Sequence, residues 1–189
     1  PPSPSRGGYG PKMQNSILRF FPAPAAAEDI APAIPMFHRW IQTSALPELL
    51  IDVADYAHVP AGPGVLVIGH EANYGLDLTG NRLGLLYNRK AVLDGSDLDT
   101  LRHAWERVQT AAKLITESPE FTGKLQFKDD ELEIILNDRL LYPNKPETWE
   151  RVRPAVDTFL AELWPGAQWE VTHASDPRER LTAQIRRTA

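Results

Sequence analysis

The sequence contains no cysteine among its 189 residues. Disulfide bonds, thiolate metal ligands, iron–sulfur clusters and cysteine nucleophiles are therefore excluded. Long apolar runs are also lacking, since segments such as Val65 to Ile68 fall far short of the roughly 20 residues that span a bilayer. No apolar stretch typical of a signal peptide opens the sequence. We therefore expect no membrane span and a cytoplasmic location.

An excess of basic residues is absent too. The net charge is −5 and the pI is about 5.5, whereas a protein that neutralises nucleic-acid phosphates needs a basic surface. Asp176 and Glu179 interrupt the arginines near the C-terminus, so we expect a solvated tail there. The composition, 42% apolar and 24% charged, is that of one ordinary globular domain. The sequence thus predicts no nucleic-acid partner.

Several familiar catalytic motifs are missing as well. The segment Gly62-Pro63-Gly64 does not make a phosphate-binding loop, because Pro63 has no amide hydrogen and no Lys-Ser or Lys-Thr pair follows it. The sequence also lacks the glycine fingerprint of dinucleotide-binding folds and the Gly-x-Ser-x-Gly elbow of hydrolases. These absences favour a protein that is not an enzyme.

Proline is abundant, with 17 residues, and seven of them fall within residues 1–33. Together with its glycines and alanines, this composition is typical of an arm outside a packed core. We therefore predict a Pro/Ala/Gly-rich N-terminal arm at 1–33 and a single domain at 34–189. The apolar residues 17–21 would dock the arm, which predicts a protein partner or a homo-oligomer formed through residues 1–33.

The hydrophobic pattern of the remaining chain predicts a mixture of strands and helices. Alternation predicts strands at 34–41, 49–58, 65–68, 74–78, 83–87, 125–127, 132–136, 169–173 and 181–185. Apolar stripes at spacings of three and four predict two long helices, one capped by Ser96 and one that begins near Pro146. The expected fold is a two-layer α+β domain, with an antiparallel or mixed sheet of six to eight strands and the two long helices on one face.

The other face of that sheet is the first candidate for function. The alternating Tyr56, Tyr74 and Tyr87 would make it an aromatic surface. Such a surface suits a ligand or a protein partner, because tyrosine combines a large apolar ring with a polar tip. The leading hypothesis is accordingly a non-catalytic binding or accessory subunit of a larger assembly, docked through its arm and this face.

A second hypothesis is a small metal-dependent enzyme. Asp52 and His58 belong to one predicted strand and His70 follows the next, so the three side chains could converge at a sheet edge. His38 from the first predicted strand would complete the set. Neutral histidine and carboxylate groups are ligands for zinc or non-haem iron, which predicts a divalent metal as the cofactor in this alternative.

A third hypothesis is a module that binds a small anion or carboxylate. Arg139, Tyr142 and Asn144 lie between a predicted strand end and a helix start. A guanidinium near a helix N-terminus is a suitable partner for an anion. With Tyr56, these residues form the predicted ligand site.

Overall fold

One eight-stranded sheet organises the chain. The computed structural model describes residues 12–23, 29–174 and 176–189. The strands are β1 (Ser16–Pro22), β2 (Leu50–Tyr56), β3 (Gly64–Gly69), β4 (Ala72–Asp77), β5 (Gly84–Arg89), β6 (Phe127–Leu136), β7 (Trp169–His173) and β8 (Leu181–Arg187). Their order in the sheet is β2-β3-β4-β5-β1-β6-β8-β7, and every neighbouring pair is antiparallel.

Strand β1 lies inside the sheet, between β5 and β6. Its residues Ile17–Phe21 are all buried, which is the pattern of a strand covered on both faces. The prediction that residues 1–33 form an arm outside the domain is therefore wrong for this strand. Because prolines surround this mostly apolar run, its composition resembles that of an arm although it forms a strand of the sheet. Residues 1–11 and 24–28 lie outside the described residues, so the arm stays a prediction there.

The described residues form three helices, where the sequence predicted two long ones. The first, α1 (Ala33–Thr43), occupies the segment predicted as a strand at 34–41, and that prediction is wrong. Its buried side chains are Ala33, Met36, Phe37 and Trp40. This spacing of three and four residues defines one helical face, which packs on β2 and β3.

Helices α2 (Asp97–Glu117) and α3 (Pro146–Leu163) agree with the two predicted long helices. Ser96 caps α2 as predicted, because its hydroxyl accepts from the Asp99 amide while the Asp99 carboxylate accepts from the Ser96 amide. Helix α2 packs on β1, β5 and α3, and the buried side chains of all three helices join one core with the sheet. The two-layer α+β fold with an antiparallel sheet is thus confirmed.

Strand β6 replaces the hairpin predicted at 125–127 and 132–136. Residues 127–136 run as one strand, so the predicted turn is wrong. The polar residues Lys128 and Asp129 are exposed at the start of this strand, and their polarity reflects exposure of that end. The described part of the chain contains no helix that is long and apolar enough to cross a membrane.

The sheet face that does not join the helical core has its own buried residues. Leu18 and Phe20 of β1 belong to the core shared with the helices, whereas Ile17 and Phe21 are buried outside it. Ile135, paired with Ile17 across β1 and β6, is buried in the same way. Because successive side chains of a strand alternate between faces, Arg19 points to this second face too. We call it the open face of the sheet.

The place of β1 in the core predicts a large effect of Leu18→Ala. Leu18 is 2% exposed, so truncation should lower the free energy of unfolding by about 2–5 kcal/mol. Leu140→Ala is the matched control, since Leu140 is 94% exposed and should change stability by less than about 0.5 kcal/mol. Urea-induced unfolding measures both. Equal effects of the two substitutions would contradict a core position for β1.

Candidate functional site

The centre of the open face is a buried ion network around Arg19. Its Nε lies 2.8 Å from Oδ2 of Asp77, and its Nη1 donates to Oε1 of Glu133 at 3.1 Å. Its Nη2 donates to the carbonyl oxygens of Thr79 and Arg82 at 3.1 and 2.9 Å. The three charged side chains are only 6%, 2% and 7% exposed. Both Nη atoms thus donate hydrogen bonds, and Nε lies within ion-pair distance of Asp77 without hydrogen-bond geometry. Because this guanidinium is buried against oxygens of the protein, Arg19 organises the site and is not itself available to a ligand.

The reach of Arg19 across the sheet depends on Gly84. Asp77 on β4 pairs with Gly84 on β5, and β5 separates β4 from β1. A Cβ atom at position 84 would lie 3.2 Å from Nε of Arg19, which is tighter than ordinary van der Waals contact. The absence of a side chain on β5 at this point therefore leaves room for the ion pair that crosses it.

The two carboxylates of the network, Asp77 and Glu133, have different neighbours. Burial raises the pKa of Asp77, although the charge of Arg19 and the hydrogen bonds from Thr79 act in the opposite direction. Gln184 of β8 donates to Oε2 of Glu133 at 3.3 Å. The network thus joins β4, β1, β6 and β8, and each buried charge has at least one polar partner.

A cavity of about 700 Å³ lies beside this network on the open face. Its charged lining residues are Arg19, Arg82, Glu133, Arg139, Arg178, Glu179 and Arg180. Five arginines around one cavity are unusual in a chain whose net charge is −5. The cavity is therefore a local concentration of guanidinium groups, and the chemistry of each one decides what it can bind.

Three of the five arginines are held by carboxylates. Arg19 has the partners described above. Arg82 makes a bidentate pair with Glu131, with distances of 2.6 and 2.7 Å. Arg178 pairs with Asp176, and its Nη2 lies 2.8 Å from Oδ2. The charges of these three side chains are thus already balanced within the protein.

The other two, Arg139 and Arg180, have neutral partners. Arg139 Nη1 donates to the carbonyl oxygen of Arg178 at 2.7 Å, and Arg180 Nη1 donates to Oδ1 of Asn137 at 2.8 Å. Within the described residues neither forms an ion pair with a carboxylate, and Glu179, which makes no close ion pair there, acts electrostatically on the neighbouring Arg178. A guanidinium has five N–H donors, so each of these exposed arginines keeps donors for a ligand.

A smaller cavity of about 250 Å³ adjoins the first and shares Arg19 and Arg180 with it. Asn88 lines it, and its Oδ1 atom is buried without a hydrogen-bond donor among the residues that the structure describes. A buried amide oxygen of this kind normally has a partner. The smaller cavity therefore adds an acceptor at the inner end of the site.

The predicted ligand residues separate in the structure. Arg139 lines the cavity of about 700 Å³, where its guanidinium could meet an anion. Tyr56 lies on the edge strand β2 and is 44% exposed, and four strands stand between β2 and β6, which Arg139 follows. The structure does not bring these two residues together.

Tyr142 and Asn144 contact other parts of the protein and do not line the cavity. Tyr142 is fully buried, with the guanidinium of Arg151 4.9 Å from its ring centre, and burial raises its pKa. Asn144 Nδ2 donates to the carbonyl oxygens of Ala174 and Asp176, both at 2.9 Å. Asn144 thus holds the segment before α3 against the chain between β7 and β8, whereas Tyr142 contacts α3 itself through Arg151. The structure thus retains only Arg139 of the predicted set in the cavity.

The predicted aromatic surface does not form on the open face. Tyr74 and Tyr87 are completely buried in the core shared with the helices, and their ring centres are 5.1 Å apart. Tyr74 donates its hydroxyl hydrogen to Glu48 at 3.0 Å. The alternation was correctly taken as a strand pattern, but it marks the covered face of the sheet.

The predicted metal ligands are not assembled either. His38 lies on helix α1, and His38, Asp52, His58 and His70 are all exposed. The Asp52 carboxylate accepts a hydrogen bond from the Val53 amide at 2.8 Å. Among the described residues, no three histidine, aspartate or glutamate side chains lie close enough to hold one metal ion. The expected convergence failed because β2 and β3 are antiparallel, with Leu50 opposite Gly69 and Tyr56 opposite Gly64, which places His58 and His70 at opposite ends of the strand pair. In addition, the segment that carries His38 is a helix and not a neighbouring strand.

Sequence reasoning missed most residues of this site. Arg19 was placed in an arm, although a charged residue inside the apolar run 17–21 is itself a signal of a buried ion pair. Arg178 and Arg180 were expected in a solvated tail, and they line the cavity instead. Asp77 and Glu133 gave no signal, since their importance depends on strand pairing that the sequence alone does not reveal.

The fold and the site together define a two-layer α+β domain with an arginine-lined cavity on its open sheet face. A scan against protein-family models gave no match, and searches of curated proteins and of solved structures gave none either. The argument for function therefore rests on the chemistry of the cavity.

The buried network predicts a large cost for Arg19→Met, which leaves Asp77 and Glu133 without their shared cation. We expect the free energy of unfolding to fall by about 3–5 kcal/mol at about pH 7. Arg102→Met is the control, because the Arg102–Glu162 pair is 49% and 44% exposed and such solvent-screened pairs contribute little to stability. Urea-induced unfolding of both variants measures the difference.

The same variant should show a distinctive pH dependence. Without Arg19, the folded-state pKa of Asp77 rises further above its unfolded-state value. Once the pH exceeds the unfolded-state pKa, the fold therefore loses stability, because the buried carboxylate must ionise without its cation. The deficit relative to the wild type should therefore be largest at about pH 7 and should shrink as the pH falls to about 4. A deficit that stays constant over this range would show that lost packing, and not the buried charge, causes it.

Proposed function

We propose that this protein is a non-catalytic binding module that takes a small oxyanion, a carboxylate or a phosphate, in the arginine-lined cavity. The observation that carries the proposal is the pair Arg139 and Arg180. Both line the cavity and donate only to neutral oxygens among the described residues. Charge-assisted hydrogen bonds from guanidinium groups to an oxyanion are short and about twice as strong as neutral ones.

The local charge supports a specific site over general attraction. A protein with a net charge of −5 repels anions at long range, so binding depends on donors held at the cavity itself. Glu179 also lines the cavity, and its charge disfavours ligands with several negative groups. The arrangement therefore suits a ligand with one anionic group.

The lining also supports binding rather than catalysis. Its described residues include no histidine, lysine, tyrosine or serine, which are the usual general bases and nucleophiles. Glu133 is committed to Arg19, and Thr79 donates its hydroxyl hydrogen to Asp77 at 2.8 Å. The described lining thus offers no pair of a histidine with a serine, lysine or tyrosine nucleophile, which favours binding over catalysis.

Thermal unfolding with added anions tests this function. Inorganic phosphate or acetate at about ten times its dissociation constant should raise the Tm of the wild-type protein by about 3–6 °C, compared with chloride at equal ionic strength. Arg139→Gln and Arg180→Gln should each reduce this shift, because each removes cationic donors. Arg153→Gln is the matched control, since Arg153 is an exposed arginine of α3 that pairs with Asp157.

The control variant should keep the full shift. A shift that survives in both Arg139→Gln and Arg180→Gln would place the anion elsewhere and contradict the proposal. The absence of any anion-specific shift in the wild-type protein would remove it altogether.

A subunit role is a second candidate, and the edge of the sheet favours it. Strand β2 is an edge strand, and it presents exposed apolar side chains at Ile51 (57%) and Tyr56 (44%), next to Leu49 (70%), which immediately precedes it. An apolar edge strand is a template for pairing with another chain. Antiparallel pairing of β2 with β2 of a second copy would form a closed, two-fold symmetric dimer. Docking through residues 1–33 remains a separate proposal for residues 1–11 and 24–28.

Light scattering coupled to size-exclusion chromatography tests this second candidate. We expect the wild-type protein to be dimeric and Ile51→Lys to be monomeric, because a lysine at an edge strand disfavours further pairing. Val92→Lys is the control, since Val92 is 59% exposed outside the strands and should leave the dimer intact. A wild-type protein that is monomeric at every concentration would dismiss the dimer.

A further inference from the structure

A third cavity, of about 800 Å³, opens beside the arginine-lined one. These two cavities share Phe21 and Arg82 in their walls and therefore adjoin there. We call the two adjoining cavities together the groove, and the cavity of about 800 Å³ its apolar end.

The apolar end is lined by nine apolar and six polar residues. The apolar residues include Phe21, Ala57, Val59, Pro60, Leu78 and Leu83, of which Ala57, Leu78 and Leu83 also pack against the helical core. The polar residues are His58, Asn81, Arg82, Lys128, Asp130 and Glu131, and they carry charges of both signs. An apolar surface open to solvent is stabilised by a ligand that removes it from water.

The boundary between the two ends is a cation resting on an aromatic ring. The guanidinium of Arg82 lies 3.8 Å from the ring centre of Phe21, and Glu131 holds it there through two hydrogen bonds. Phe21 itself is 5% exposed. A ligand that crosses this boundary passes from guanidinium donors to apolar side chains.

We infer that the ligand is a carboxylate with a single aliphatic chain, its head group bound by Arg139 and Arg180 and its chain lying in the apolar end of the groove. This inference rests on the proposed anion-binding function and adds the chemical class of the ligand. Charge complementarity selects the head group, because Arg139 and Arg180 donate only to neutral oxygens at one end, whereas the charges at the other end are of both signs. The hydrocarbon lining selects the chain.

The test is a binding series of acetate, hexanoate and decanoate, measured by calorimetry below the concentration at which decanoate forms micelles. Each methylene group that enters the groove should tighten binding roughly three- to fourfold. Decanol, which has the same chain without the charge, should bind much more weakly than decanoate, because it lacks the group that Arg139 and Arg180 recognise.

Two variants assign the ends of the groove. Arg139→Gln should weaken every carboxylate of the series by a similar factor. Val59→Asp should abolish the gain from hexanoate to decanoate, because it places a charge in the apolar end, and Val59 is exposed enough (36%) for the substitution to be tolerated in folding. Val92→Asp, at an exposed valine outside both cavities, is the control and should retain the full series.

The outcomes separate this inference from the function on which it rests. If acetate binds through Arg139 but affinity does not rise with chain length, the aliphatic ligand is rejected and the anion-binding function stands. If neither phosphate nor any carboxylate binds, both are rejected. Chain-length dependence that is unchanged in Val59→Asp, or equal affinities for decanol and decanoate, would likewise overturn the inference.

Discussion

Strand β1 joins two sheet halves that do not pair with each other. Strands β2 to β5 form one half and β6, β8 and β7 form the other, and β1 pairs with β5 on one side and β6 on the other. Arg19, at the middle of β1, repeats this connection with its side chain, since it contacts Asp77 of the first half and Glu133 of the second. Both the backbone pairing and the central ion network therefore depend on an N-terminal segment of seven residues.

The ion network also determines where the cavity can form. Buried charges are tolerated only when they are paired and hydrogen-bonded, and Arg19 satisfies its remaining donors with the carbonyl oxygens of Thr79 and Arg82. These contacts hold the turn after β4 against the open face. This turn also places the Arg82 guanidinium over Phe21, at the boundary between the arginine-lined cavity and the apolar end of the groove. Several residues of the ion network thus also line the cavity.

Local signals predicted the elements that local interactions stabilise. Helix α2 was predictable because Ser96 caps it and its apolar stripe is long, whereas the short segment 34–41 fits both a strand and a helix pattern and was assigned wrongly. Strand β1 was missed because its neighbours are prolines and its partners lie far away in the sequence. Glu133 is 114 residues from Arg19, and no periodic pattern connects residues at that distance.

The cavity shows why Arg139 was identified and Arg180 was not. Arg139 follows a strand end, where polar residues are recognisable as candidates, but Arg180 resembled part of a charged tail. Strand pairing makes them neighbours, because Leu136, the last residue of β6, is opposite Leu181, the first residue of β8. In an antiparallel pair, the residue that follows one strand and the residue that precedes the other lie at the same end of the pair. The loops that carry both arginines are therefore placed by a rigid scaffold, as binding residues commonly are, and the site follows from strand register more than from any motif.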